Sequence, residues 1–367
     1  MHGMWREGNH FTALVQSGNI LSELFKAIDA ANDAVLVELG EAEPGKLLTI
    51  LVKALAAAVE RGVQVLLLLD GHGARHLAER DLRSISATGI ALRCYRPLGR
   101  LNHGTQRMRS RRKLVMVDGR VAFVGGFAAQ DSYFQAGFDV AVRVQGPVLA
   151  DWMRLFSAQW ESSRTRGSGS PGLVRGMQLP TGVDNGSPSG GLGRVVWSQG
   201  GSFPGPPQRS LLERICGARW RILIFTPNFA PPARVRRELF KALRRGVGVW
   251  LVVPGRQDAA VKSALPAADS RRYGAFLEAG ARIFEFSTSF LEARTCVVDD
   301  WSRVGSTAVH SAAVSWVLDA VQEVDDAAFT EQLVDALAEL LGACEEVFQA
   351  EPVSPRWRRA LRRHQPT

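Results

Sequence analysis

The chain repeats itself, and the repeat limits what it can fold into. Ala57-Ala-Val-Glu-Arg-Gly-Val-Gln-Val-Leu-Leu-Leu-Leu-Asp70 returns as Lys241-Ala-Leu-Arg-Arg-Gly-Val-Gly-Val-Trp-Leu-Val-Val-Pro254. Each copy reads as a helix end, a glycine stop (Gly62, Gly246) and a buried strand. Ala87-Thr-Gly-Ile-Ala-Leu-Arg-Cys-Tyr95 returns as Glu278-Ala-Gly-Ala-Arg-Ile-Phe-Glu-Phe286. Lys113-Leu-Val-Met-Val-Asp118 followed by Gly125-Gly126 returns as Arg294-Thr-Cys-Val-Val-Asp299 followed by Gly305-Ser306. Matched blocks in one order define a duplicated domain. A 367-residue chain has room for two units of ordinary size.

Within each half, helix-period segments alternate with strand-like runs, which implies α/β sandwiches with mixed sheets. Helices are predicted over Asn19–Ala31, Lys46–Arg61, Pro147–Gln159, Pro232–Arg245, Ser270–Ala279 and Thr330–Glu346. Strands are predicted at Ala34–Glu38, Val63–Leu69, Ala91–Tyr95, Lys113–Val117, Val121–Val124, Asp139–Val144, Arg221–Thr226, Val247–Val253, Arg282–Phe286, Arg294–Val298 and Asp319–Val324. Residues 161–208 are rich in Gly, Ser and Pro and read as a linker or long loop between a first domain (1–160) and a second (209–350). Residues 351–367 form a basic tail, in which Trp357, Ala360 and Leu361 share a face among arginines.

Composition narrows the class of function. At 46% hydrophobic and 22% charged the chain is a globular one, not a disordered one. Its apolar runs are too short to span a bilayer, and residues 1–11 lack the apolar core of a secretory signal. Cys94, Cys216, Cys296 and Cys344 are too far apart for zinc spacing and read as buried thiols of a reducing compartment, so a cytoplasmic location is expected. Lys and Arg outnumber Asp and Glu 45 to 36, a net +9 that attracts polyanions such as nucleic acid or an anionic inner leaflet.

Several segments together resemble the phospholipase D superfamily, and within it the bacterial cardiolipin synthase branch. In the first half these are Trp5-Arg-Glu-Gly-Asn9, Arg107-Met108, Arg111-Arg-Lys-Leu-Val-Met-Val-Asp-Gly-Arg-Val-Ala-Phe-Val-Gly-Gly126 and Asp139-Val-Ala-Val-Arg-Val-Gln-Gly-Pro147. In the second half they are Thr226-Pro-Asn-Phe229, Leu277-Glu-Ala-Gly280 and Phe290-Leu-Glu-Ala-Arg-Thr-Cys-Val-Val-Asp-Asp300. The resemblance implies two tandem phospholipase D-like α/β sandwich domains related by a pseudo-two-fold axis. It also implies phosphatidyl transfer or phosphodiester hydrolysis at a paired HxKxxxxD site. There one histidine attacks phosphorus, a second protonates the leaving alkoxide, and Lys and Asn hold the phosphate oxygens. No metal or cofactor is implied.

This chain departs from that pattern at its centre. The motif positions are Arg111, Lys113 and Asp118 in the first half and Glu292, Arg294 and Asp299 in the second, so neither histidine is present. Ala128 and Ala308 stand where the asparagines belong; Asp139 and Asp319 match the orienting acids. Arginine stays protonated and cannot replace a nucleophile or acid. The expectation is a catalytically inactive or severely impaired member whose Lys113, Arg294 and Arg111 still bind phosphate. Its partners would be an anionic phospholipid or other phosphodiester, with an intact paralogue or another protein as a further partner, on the cytoplasmic membrane face. Arg111 and Glu292 are expected to form a salt bridge across the axis. Two alternatives stand beside this: an active enzyme using Glu292 as nucleophile, or His72, His76, His103 or His310 as substitute; and, less favoured, a nucleic-acid-binding module.

Overall fold

A computed structural model describes residues 3–97, 108–134, 137–170, 172, 190–199, 205–255, 274–307, 309 and 317–348. The first half runs β1 (Arg6–Val15), α1 (Ser17–Asp29), β2 (Ala34–Leu39), α2 (Lys46–Glu60), β3 (Gln64–Asp70), α3 (Glu79–Ala87), β4 (Ala91–Tyr95), β5 (Arg109–Ser110), β6 (Lys113–Val117), β7 (Val121–Gly125), α4 (Asp131–Phe134), β8 (Val140–Gln145), α5 (Leu149–Trp160) and β9 (Thr165–Gly167). The second runs β10 (Gly191–Trp197), α6 (Pro206–Gly217), β11 (Arg221–Phe225), α7 (Ala233–Arg244), β12 (Gly248–Pro254), α8 (Gly274–Glu278), β13 (Arg282–Phe286), β14 (Thr295–Val298), β15 (Trp301–Gly305), β16 (Val317–Leu318), β17 (Ala320–Asp325), α9 (Ala327–Leu341) and β18 (Glu345–Glu346).

Among the described residues sixteen strands make one mixed sheet, in the order β18-β13-β12-β11-β14-β15-β17-β10-β1-β8-β7-β6-β2-β3-β4-β9. Read outward from the β10–β1 junction, the two halves have the same order. β1 makes the join: Arg6 and Asn9 pair antiparallel with β10, while His10–Val15 pair with β8. The duplication extends to backbone strain. Gly62 and Gly246, both with positive φ (90° and 85°), end α2 and α7, where a side chain would be disfavoured.

Packing ties the halves together. Helices α1 and α2 cover one face of the first half through Ile20, Leu24, Leu51 and Leu55; α6 and α7 do the same in the second through Leu211, Ile215 and Leu239. A third core is shared, because α5 packs on β10 and α9 packs on β1. Each of these helices therefore lies across the other half's strand. Phe11 meets Phe329 at 5.7 Å between ring centroids, and Trp152 Nε1 donates to Gln322 Oε1 at 2.8 Å.

Several expectations need correction. The span 161–208 is not linker throughout, since it supplies edge strand β9, central strand β10 and the start of α6. α9 starts three residues earlier than predicted because Asp326 caps it, accepting from Phe329 N at 3.0 Å. Cys94 and Cys296 are buried, but Cys344 is half-buried and Cys216 exposed; all four are unpaired. Ala308, His103, His310 and the tail 351–367 lie outside the described residues. Among the described residues no helix is long and apolar enough to cross a membrane.

Candidate functional site

The site forms where the halves meet across the pseudo-two-fold axis. β5 pairs in parallel with β16, and Phe138 bridges Leu291 in the related place. Between these bridges lie two matching hydrogen bonds. Arg111 N donates to Leu318 O at 2.9 Å, and Glu292 N donates to Phe138 O at 2.8 Å. Both positions that the resemblance assigns to histidine are thus fixed by backbone to the opposite half.

Lys113 and Arg294 follow on the same sides. Lys113 is buried and donates from Nζ to Gly126 O at 2.7 Å; its ammonium lies 3.5 Å from Glu41 Oε2. Arg294 Nη2 is 2.7 Å from Glu292 Oε2, with both side chains about one-seventh exposed (13% and 14%). Among the described residues, that oxygen has no aligned N–H donor, and Arg294 Nη1 is buried without a hydrogen-bond partner. The pair is therefore a contact of charges in which the guanidinium keeps an unused donor. Glu292 is paired within its own half by Arg294, not by Arg111 as the salt bridge expected across the axis required. Two residues along a strand-like segment, Arg294 is the nearer cation by covalent geometry.

The orienting acids occupy equivalent places beneath the glycine turns. Asp139 is fully buried and accepts from Tyr133 Oη at 2.8 Å on Oδ2, while Oδ1 has no hydrogen-bond partner among the described residues. Burial pushes this carboxyl up to about 6, against the opposing pull of Tyr133 and Lys113. A side chain on Gly126 would come within 2.4 Å of Asp139 Oδ1, so the turn must be glycine. Asp319 accepts from Ser306 Oγ at 3.2 Å; burial raises it too, opposed by Arg111, Ser306, Arg294 and Arg112.

Asp118 and Asp299 lie elsewhere. They sit at the far ends of β6 and β14, about 16 Å along the strand from the cluster at ~3.3 Å per residue. Asp118, with φ 52°, accepts from the backbone N–H of Asn32, Asp33 and Ala34 at 2.8–3.3 Å. Asp299, with φ 53°, accepts in the same way from Arg219, Trp220 and Arg221 at 2.9–3.2 Å. These carboxylates anchor the starts of β2 and β11. The structure brings Arg111, Lys113, Glu292 and Arg294 together and leaves the two aspartates outside the site.

Glu41 is the residue that sequence reading passed over. It follows β2 on a loop held by Ala42 N to Gly73 O (3.3 Å), Ala129 N to Glu41 O (3.2 Å) and a parallel bridge from Ala42 to Ala129. Its carboxylate is 3.9 Å from Arg109 Nη2 as well as 3.5 Å from Lys113. Lys113 above all, then Arg294, Arg109 and Arg111, outweigh burial and hold it down to about 2. His72, on the loop after β3, stands in electrostatic range of Arg109 and Glu41; burial and Arg109 lower its pKa. His76 is exposed. Beneath the first-half bridge, Glu38 accepts from Ser110 Oγ (2.9 Å) and Asp70 from Ser110 N (2.7 Å), which fixes the segment leading to Arg111.

Comparison with known proteins gives the family and the fold. Residues 24–160 and 211–341 match the family described as "Cardiolipin synthase, PLD-like domain", once in each half. The chain belongs to that family. It is 30% identical over 355 residues to cardiolipin synthase B of Escherichia coli K12, covering 94% of this chain and 83% of that one. It is 29% identical over 358 residues to cardiolipin synthase B of Salmonella typhi, covering 94% and 84%. The fold matches the crystal structure of phosphatidylserine synthase from Haemophilus influenzae Rd KW20, with a TM-score of 0.73 over 95% of this chain and 89% of that one, at 13% identity.

Proposed function

We propose that this chain is a non-catalytic member of its family that holds the phosphate group of an anionic phospholipid between its two halves. One observation carries the reading: Arg111 and Glu292 occupy the two positions locked across the axis by matching hydrogen bonds. A guanidinium is neither nucleophile nor useful acid near neutral pH. Glu292 as nucleophile would need a general acid opposite it, where Arg111 stands, and its own charge is already engaged by Arg294. What persists is the phosphate-holding half of the chemistry. Lys113 and Arg294 come from equivalent strand ends, Arg294 has a buried donor unused among the described residues, and Arg109 and Arg111 lie within the same field.

The surface suits an anionic membrane. α7 and its cap expose Arg234, Arg236, Arg237, Lys241, Arg244 and Arg245, against a single acid, Glu238, which Arg237 and Lys241 already contact. Such a face attracts anionic headgroups and is screened by salt. Flotation with vesicles carrying phosphatidate in phosphatidylcholine tests the reading. Association is expected to be salt-sensitive and to fall several-fold for Lys113→Ala combined with Arg294→Ala. Unchanged flotation of that variant would remove the cleft from the account and leave only surface charge.

A further inference from the structure

Glu41 stands where an anionic ligand would stand. Its carboxylate lies 3.5 Å from Lys113 Nζ and 3.9 Å from Arg109 Nη2, and it comes from the opposite strand end, 72 residues away in sequence. Its side chain is 31% exposed, so it is reached from outside, whereas Lys113 beneath it is 3% exposed. The strand registers place Asn228, an uncharged residue, at the equivalent position in the second half: Glu38 pairs with Leu114 where Phe225 pairs with Thr295, and Glu41 and Asn228 each follow three residues on. The acid is therefore a feature of one half, not of the repeat.

We propose that Glu41 is a tethered occupant of the phosphate seat, so that the cleft favours phosphate groups carrying two negative charges over singly charged phosphodiesters. This rests on the reading of the cleft as a phosphate site. The physics is competition. A carboxylate on a short, hydrogen-bonded loop competes at a high effective concentration with any free anion. A phosphodiester brings the same single charge as the carboxylate it must displace, so it gains little Coulomb energy in the exchange. A phosphomonoester dianion brings twice that charge to Lys113, Arg109 and Arg294 and displaces Glu41 more readily. The depressed pKa of Glu41, about 2, agrees with a carboxylate held by several cations.

Isothermal titration of the full chain at pH 8 with inorganic phosphate and with dimethyl phosphate tests this, against equal ionic strength in chloride. The wild type is expected to bind phosphate and to bind dimethyl phosphate at least tenfold more weakly. Glu41→Gln should bind both more tightly, with the larger gain, about tenfold or more, for dimethyl phosphate. Glu41→Asp, which keeps the charge but withdraws it by one methylene, should fall between them and serves if the glutamine variant does not fold. If wild type and Glu41→Gln bind dimethyl phosphate equally, Glu41 is not the occupant, although the phosphate site stands. If no form binds either anion, both the occupant and the phosphate site are overturned. If Lys113→Ala binds phosphate as the wild type does, the seat is not the one described.

Discussion

The two ends of the repeated strand β6/β14 differ in how closely the halves agree. At the outer end, Asp118 and Asp299 share φ, turn and the same pattern of three backbone N–H donors. At the inner end the halves differ: Arg111 matches Glu292, Lys113 matches Arg294, and Glu41 matches Asn228. The layer beneath has diverged as well. Under the first-half bridge lie Glu38, Asp70, Ser110 and Arg112; under the related bridge, Phe138 packs on Phe225 and Phe286 at 5.7 and 5.5 Å. The scaffold's requirements are thus met twice in the same way, while the residues at the motif positions differ between the halves. Folding accounts for the outer ends, where one carboxylate must satisfy the same backbone donors in each half.

The largest effects should separate the two ends. Asp118→Ala and Asp299→Ala each orphan three backbone donors and should cost about 2–4 kcal/mol by denaturant unfolding, adding when combined because the sites lie far apart. Phosphate affinity of the folded fraction should not move. A lowered affinity with unchanged stability would erase the distinction.

Next in size is the pH dependence of Asp139 and Glu41, which run in opposite directions. Asp139 is raised from 3.8 to about 6, so between those values the folded state holds the proton more firmly than the unfolded state does. Its contribution to stability is full below 3.8 and is lost as pH rises through 6, at most about 3 kcal/mol. Glu41 is depressed from 4.5 to about 2, so its contribution is present above 4.5 and is lost as pH falls through 2. Urea unfolding of Asp139→Asn and Glu41→Gln against pH should give difference curves of opposite slope. Slopes of the same sign would contradict the assignment of burial as dominant for one and cations as dominant for the other.

The smallest effect sharpens the inner pairing. A double-mutant cycle on Glu292→Gln and Arg294→Met should show a coupling of about 1 kcal/mol, since the pair is only partly exposed and not aligned as a hydrogen bond. The corresponding cycle on Arg111→Met and Glu292→Gln should show less. The reverse order would restore the salt bridge across the axis.

The sequence carried the duplication plainly, because glycine stops and buried strands leave local patterns: the bounds of β4, β6 and β13 agree with the periodicity residue for residue. β10 was hidden by its own glycines. Gly193 sits where a side chain would strike Phe11 Cζ at 2.4 Å, so in this strand glycine answers to packing although its surroundings read as linker. β1 leaves little local signal because its first half, Arg6-Glu-Gly-Asn-His10, has no apolar side chain to alternate and buries only Gly8 and Asn9. Arg111, Lys113, Glu292 and Arg294 were legible from motif spacing, since the repeat forces equivalent strand ends to one axis. Glu41 was not: its role depends on Lys113 and Arg109, about seventy residues on, and Glu-Ala-Glu before Pro-Gly reads locally as a surface turn. The buried Glu38 within Val-Leu-Val-Glu-Leu was the signal available, a charge in a core strand that marks this strand end as unusual.

The central claim is that the locked pair Arg111 and Glu292 supports no turnover. Purified full-length protein should be incubated with phosphatidylglycerol vesicles, and the lipid products read by mass spectrometry. Neither cardiolipin nor phosphatidate should form above the rate in protein-free vesicles, and Glu292→Gln and His72→Ala should leave that result unchanged. Product formation by the wild type at an enzymatic rate, abolished by either substitution, would contradict the account.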